Sequence, residues 1–374
     1  MTSVVAVASF PPPVTGQTVA TDAFVGWAEE TARVTRLNLA DPERHRRPSG
    51  RFSWSQLRRV EGILEEIRRG PGWDVGYLTA ASSPLGRLRD VRLIRALRPR
   101  VGRLVVHVHQ GSFGGATGGI LGVPTRRVYL RHVDRVLFLA PALAARAPWV
   151  PADRVRVVPN PPGEGARFST AEVEEARARR LADDAFRVLF LANPLPEKGH
   201  RRLLEAIPAL LEGLEPNRRL QVDVVGAWAT PAARRRYEER ARALGAAEYV
   251  TVHGGLTDRG AVRSLLAGAH VLAFPSTYRE EGAPLAVIEA LGAGTPVVAT
   301  PQGALPDLVE PGRSGWLLPD PAPEHLARAL LESADRQAWA RLSRSARAFF
   351  EERFAPEAVR AAFLEALLNG EDGV

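Results

Sequence analysis

Of the 50 Lys and Arg residues in this 374-residue chain, one alone, Lys198, is a lysine. An ammonium is a compact charge on a flexible stem, whereas a guanidinium is a wider planar fork. A position that keeps the small cation therefore suits a crowded anion such as a diphosphate. Lys198 lies in "LANPLPEKGH", a turn that follows the apolar run "FRVLF". Further on, in "YREEGAPLAVIEALGAGTPVVAT", Glu281 and Glu289 stand eight residues apart. Glu281 falls in a Gly- and Pro-containing turn and Glu289 in the helical pattern that follows it. Such a turn leaves backbone N–H groups at a helix N-terminus, where phosphate and sugar oxygens bind. Glu289 could accept two ribose hydroxyls, and Glu281 sits where a sugar would be. Taken singly, each residue has a structural reading as well. A surface lysine contributes little, and a carboxylate near a helix N-terminus is favoured by the macrodipole alone. Together they supply one cation for a diphosphate, one carboxylate for a ribose and one for a sugar.

Groups so far apart in sequence need a scaffold that brings turns together. Short apolar runs alternate with helical patterns along the whole chain, which predicts an α/β fold of parallel sheets covered by helices on both faces. The strand runs of the first half are "SVVAVAS", "VTRLNL", "DVGYLTA", "RLVVHVH", "RVLFLA" and "VRVVPN". Those of the second are "FRVLFLA", "LQVDVVG", "YVTVHG", "VLAFPS" and "PVVAT". Between the strands, "WSQLRRVEGILEEIRRG" places Leu57, Val60, Leu64 and Ile67 on one stripe, with Gly70 just past its end. Two consecutive doubly wound, Rossmann-like domains result, 1–165 and 166–354, separated by the run of Pro159, Pro161, Pro162, Gly163 and Gly165. The stretch from Ala322 to Asn369 is helical in pattern and broken at Pro356. Ligands of such sheets bind at the carboxyl ends of the strands, so a cleft between the two domains is expected.

Composition narrows the classes. Apolar content of 45% and charged content of 25% are those of a globular protein. Without cysteine, disulfides and thiolate metal sites are excluded. No apolar run is long enough to span a bilayer, and residues 1–10 read as a first buried strand rather than a secretory signal, which favours a cytoplasmic location. The formal charge of +8 is uneven: residues 1–165 hold 24 Arg against 13 acids, a net of +11, and the rest of the chain nets −3. Clusters such as "RHRRPSGR" and "RLRDVRLIRALRPR" suggest a face for anionic lipid or an anionic acceptor, with peripheral membrane contact as one reading and a solvated surface as the other. Nucleic acid is disfavoured, because these clusters carry almost no interleaved aromatic residues.

Residues 186–319 resemble the donor-binding half of retaining, nucleotide-sugar-dependent glycosyltransferases of the GT-B fold, family 4 (group 1). The resemblance rests on the Glu-x7-Glu spacing of Glu281 and Glu289, the "EALGAGTPVVAT" that follows, "VTVHGGL" and "VLAFPS" ahead of it, and "LANPLPEKG". It implies that Lys198 binds the donor diphosphate, with Asn193 and Gly254 at the same donor site. It also implies that Glu289 binds the ribose, and that Glu281 with the backbone around Gly282, Ala283 and Leu285 binds the transferred sugar and phosphate. In the first half, Gly16 of "SFPPPVTGQT" is similar to a family glycine that approaches the donor phosphate. His109 of "VVHVHQGSFGG" is similar to a family histidine near the transferred sugar, and strand alternation puts His107 on the same side. The glycines from Gly111 to Gly122 suggest a mobile loop at the acceptor site, and "APEAVRAAFLEALLN" a final helix, about 355–372, that crosses back to the first domain. Neither a cofactor nor a metal is implied, since the departing phosphate itself helps to deprotonate the acceptor alcohol. The family commonly has an Arg where Asn193 stands, so the second cation would be another residue such as Arg201; Asp307 replaces a common Glu. Implied acceptors are those of polysaccharide, lipopolysaccharide or glycolipid assembly. The same fold also serves epimerases, phosphorylases with a Schiff-base lysine, and proteins that bind a sugar nucleotide or a partner without turnover.

Overall fold

The computed structural model describes residues 1–40, 54–119, 122–163 and 167–369. The chain forms two compact units, Met1–Pro161 together with Pro356–Val374, and Pro162–Ala355. The division falls inside the Pro- and Gly-rich run; Gly165 lies outside the described residues.

In the first unit six parallel strands, β1 (Ser3–Ala8), β2 (Arg33–Asn38), β3 (Trp73–Thr79), β4 (Val101–Val108), β5 (Arg135–Phe138) and β6 (Val155–Val157), lie in the order β2-β1-β3-β4-β5-β6. Runs such as "VVAVA" are buried along their whole length, as parallel strands covered on both faces require. The helix Gly16–Glu29 starts at Thr15, whose side chain and backbone exchange hydrogen bonds with Thr18 in a capping box. Phe24 of that helix packs at 4.7 Å between ring centroids on Phe363 of the last helix, Pro356–Leu368. Val359, Phe363, Ala366 and Leu367 thus join the core built by β1, β3 and the Gly16 helix. The buried Arg135 donates to the carbonyls of Glu365 and Ala366 at 3.2 and 3.0 Å. It satisfies acceptors that the end of that helix would otherwise leave open. The helix Trp54–Arg69 buries Val60, Ile63, Leu64 and Ile67, and Leu57 only partly.

The glycines after β4 lie in and around one short helix. The helix Phe113–Thr117 lies within the stretch and the helix Val123–His132 begins just after it, while residues 120 and 121 lie outside the described residues. A Cβ on Gly114 would come 2.0 Å from the Arg146 carbonyl oxygen, and one on Gly122 1.9 Å from that of Thr117. These two glycines are there for close backbone packing.

The second unit has its own parallel sheet of β7 (Ala185–Leu191), β8 (Arg219–Val225), β9 (Val250–Gly254), β10 (Val271–Phe274), β11 (Val297–Ala299) and β12 (Gly315–Leu317), in the order β12-β11-β10-β7-β8-β9. Nothing in the sequence pattern announces β12, a three-residue strand that opens on a glycine and is too short for any periodicity. After β7 the chain moves outward through β8 and β9, then returns to place β10 on the other side of β7. The strand order therefore reverses between β7 and β10, the position where open α/β sheets bind ligands. Near the end of the unit, helices Pro323–Glu332 and Arg336–Arg353 are separated by a break at 333–335, where Asp335 caps the second by accepting from the Ala338 N–H.

Candidate functional site

Chain leaving β7 and chain leaving β10 meet at that reversal. After β7 the short turn Pro196–Lys198 leads into Gly199, whose φ is +88°, and then into the helix His200–Gly213. A Cβ at 199 would lie 2.3 Å from the Pro275 carbonyl oxygen, just beyond β10. Only glycine meets both the left-handed backbone and the close approach. As a result the Lys198 ammonium reaches both carboxylate oxygens of Glu281, at 2.9 and 2.8 Å. Ser276 Oγ donates to Glu281 Oε2 at 2.7 Å, and the ammonium also lies over the rings of Tyr278 and Phe274 at 4.8 and 5.6 Å. The Glu281 carboxylate is buried and the Lys198 side chain is 16% exposed. Of the three ammonium protons, Glu281 takes two, which leaves one donor for an incoming anion.

The turn carrying Glu281 is fixed from behind. Its N–H donates to the Tyr278 carbonyl at 3.0 Å, and the Gly282 carbonyl accepts from the Ala304 N–H at 3.0 Å. Gly303, at φ +62°, comes so close that a Cβ would lie 2.1 Å from the Glu281 carbonyl oxygen. Ala283 is buried, and the helix Leu285–Gly292 begins after Pro284 with no side chain capping it. The partial positive charge of that N-terminus is thus presented beside Glu281.

Glu289, in the second turn of the same helix, is 3% exposed. Arg259 Nη2, from the helix Arg259–Gly268, donates to its Oε1 at 2.9 Å, and the Gly163 N–H donates to the same carboxylate. Burial raises its pKa above the usual glutamate value, and Arg259 and Gly163 oppose that rise.

Asn193 and Gly254 form a separate group along the strand ends. Asn193 Oδ1 accepts from the Ala227 N–H at 3.0 Å, and the Gly226 N–H donates to the Gly254 carbonyl at 2.7 Å. The Asn193 side chain therefore ties the end of β7 to that of β8. Arg201 points out from its helix, whereas its neighbour Arg202 reaches the Pro275 carbonyl at 3.5 Å and Thr277 Oγ1 at 3.3 Å. Sequence reasoning did not single out Ser276, Tyr278, Arg202 or Arg259, and it read Gly163 only as part of the break between domains. Ser276 and Tyr278 belong to the "FPSTY" run at the end of β10, a position that could have flagged them. Arg259 follows a good N-cap, Asp258, but nothing in one sequence ties it to a residue 30 positions later.

In the first unit, Gly16 is the first residue of its helix, and His109 stands just past β4. The rings of His107 and His109 are 4.3 Å apart, and His107 Nδ1 is 2.9 Å from the Tyr77 hydroxyl. Gln110 Nε2 donates to Gln17 Oε1 at 3.1 Å and so ties the end of β4 to the Gly16 helix. Both His109 nitrogens, His107 Nε2, Thr21 Oγ1 and Gln110 Oε1 are buried without a hydrogen-bond partner among the described residues. Burial lowers the His109 pKa to about 3, so the ring is neutral at ordinary pH. Among the described residues no group of three or more His, Asp or Glu is arranged to hold a metal ion, and no helix is long and apolar enough to cross a membrane.

Residues 172–348 match the model of the family described as glycosyl transferases group 1. The D-inositol 3-phosphate glycosyltransferase of Streptomyces griseus is 35% identical over 200 residues, 52% of this chain and 42% of its own length. The chain thus spans less than half of that relative. The crystal structure of HepE from Anabaena in complex with UDP and glucose superposes with a TM-score of 0.72 at 19% identity, over 98% of this chain and 99% of that one. Sucrose-phosphate synthase from Thermosynechococcus elongatus gives 0.71 at 20% identity, over 96% of each chain. At these identities the likeness is one of fold: two parallel six-stranded sheets with flanking helices, as in GT-B structures.

Proposed function

We propose, from the match of residues 172–348 to the glycosyl transferases group 1 family, that the protein transfers a sugar from a nucleoside-diphosphate sugar to an alcohol acceptor with retention of anomeric configuration. The observation that carries this reading is the Lys198, Glu281 and Ser276 cluster at the β7/β10 reversal, with the buried Glu289 on the helix that follows the turn. Lys198 and the N-terminus of the Leu285 helix hold the diphosphate and stabilise the negative charge that develops as it departs. Glu289 accepts the ribose hydroxyls. Glu281 holds Lys198 in place and, with the backbone at Gly282 and Ala283, addresses the sugar.

In the transfer step the bond from the anomeric carbon to the diphosphate oxygen breaks, and the acceptor oxygen bonds to that carbon on the same face. The acceptor proton passes to the departing phosphate, so neither a protein nucleophile nor a metal is needed. HepE was crystallised with UDP and glucose, and the matched Streptomyces griseus relative is by its name a D-inositol 3-phosphate glycosyltransferase. We place this protein likewise in polysaccharide, lipopolysaccharide or glycolipid assembly, in the cytoplasm, with its arginine-rich first unit turned to an anionic acceptor or membrane.

Calorimetric titration with UDP, GDP and ADP and their common sugar conjugates tests the donor site. One nucleotide is expected to bind, and its sugar conjugate is expected to be hydrolysed or transferred. Proton NMR of the product should show the donor's anomeric configuration. A folded protein that binds none of them refutes the donor site, and an inverted product refutes retention.

A further inference from the structure

A carboxylate that is to accept two hydroxyls must be an anion, and a carboxylate withdrawn from water resists being one. Glu289 is in that position: it is 3% exposed, on a helix whose other residues from Val287 to Gly292 are also buried. Among the described residues, the groups that face it are few. Strands β10 and β11 beneath it contribute only Val271–Phe274 and Val297–Ala299, all apolar. From the helix Arg336–Arg353, Arg347 turns toward the end of the Leu285 helix, but its guanidinium donates to the carbonyls of Gly292 and Phe168. Arg259 is the cation that reaches the carboxylate.

We propose that Arg259 is the positioning residue of this carboxylate: with the Gly163 N–H it anchors Glu289 and presents it to the ribose hydroxyls of the donor nucleotide. The assignment rests on the donor-site reading above and adds a residue that lies outside its motif. Two features support it. Arg259 is anchored at its own base, where Asp258 Oδ1 accepts from the Gly260 N–H at 2.8 Å to start the helix, while its side chain is 48% exposed and can adjust when a ligand arrives. Gly163 lies against the pair so closely that a Cβ would come 2.4 Å from Arg259 Nη2 and 2.7 Å from Glu289 Oε1. The backbone there is fitted to the ion pair, and any side chain would push the two apart.

The test uses the full chain as wild type, Arg259→Gln and Arg259→Lys, titrated calorimetrically with UDP, GDP and ADP from pH 5.5 to 8.5. Without the guanidinium, only the Gly163 N–H opposes burial, and the Glu289 pKa rises further. Arg259→Gln is then expected to bind the preferred nucleotide about tenfold more weakly than wild type near pH 6. The ratio should shrink as pH rises and the carboxyl ionises, and Arg259→Lys should restore most of the affinity. A ratio that does not change with pH overturns the proposal. Wild-type protein that binds none of the three overturns the donor-site reading itself, which is a different result.

A second measurement needs no ligand. A carboxyl with a raised pKa gives stability that is lost as pH rises through that pKa. The melting temperature of Arg259→Gln should therefore fall further below wild type between pH 5 and 8. This growing difference should vanish when both proteins also carry Glu289→Gln; a difference that survives there assigns Arg259 a merely structural role.

Discussion

Lys198 has two duties that pull on any experiment made with it. It is the counterion of a buried carboxylate and, in the function proposed above, the cation offered to a diphosphate. Breaking a buried pair by removing one partner leaves an uncompensated charge. Lys198→Ala is therefore expected to lose about 3 kcal/mol of stability in denaturant unfolding even without ligand. A thermal shift comparison alone would mix this loss with any lost binding. Lys198→Ala together with Glu281→Gln separates the two effects. The double variant should recover most of the stability, because the neutral amide in place of the carboxylate can still accept from Ser276, but should not recover calorimetric binding of the nucleotide. Recovery of binding would show that the ammonium serves only Glu281.

Elements decide which residues meet, and the position of Gly199 shows how. Its left-handed backbone and its contact with Pro275 bring the β7 turn against the β10 turn. For Gly199→Ala we expect roughly 1–2 kcal/mol of loss from the backbone conformation alone, and more from the contact with a carbonyl oxygen that cannot move aside. Chemical denaturation reads the loss, and weaker nucleotide binding would accompany it because Lys198 shifts away from Glu281. Much of this arrangement is legible in the sequence. Apolar runs and their order announce eleven of the strands, and the Glu281 to Glu289 spacing with the solitary lysine marks the site. What periodicity cannot give is partnership. That Asn193 serves Ala227, that Ser276 serves Glu281 and that Arg259 serves Glu289 are outcomes of which strand ends lie side by side. Glycines show the same limit: between 111 and 122, Gly114 and Gly122 meet close backbone contacts whereas Gly115 and Gly119 face open space, which composition does not distinguish.

For the whole molecule, the last helix determines what counts as one unit. The first unit is made from both ends of the chain, and the second is complete within Pro162–Ala355. Part of the first unit's excess of arginine is internal to it: Arg135 caps the final helix, Arg98 pairs with Asp134, and Arg36 holds Asp22 and Glu29. Both units bury neutral histidines, with pKa values lowered to about 3 for His109 and His270 and about 4 for His200. The unfolded chain binds protons at these residues near pH 6.5, so stability is present above that value and is lost as pH falls toward the folded pKa values. At pH 5 each fully buried histidine costs about 2 kcal/mol, and the melting temperatures of both units should drop sharply between pH 7 and 5. The units part company at Phe363, which is fully buried against Phe24 and Tyr77. Phe363→Ala removes a large side chain from the core and should cost about 3–5 kcal/mol. If the two units unfold as separate cooperative blocks, that loss appears in one calorimetric transition while the other, which nucleotide raises, stays in place. A single transition that shifts as a whole would show instead that the stability of the second unit depends on a helix outside its own core.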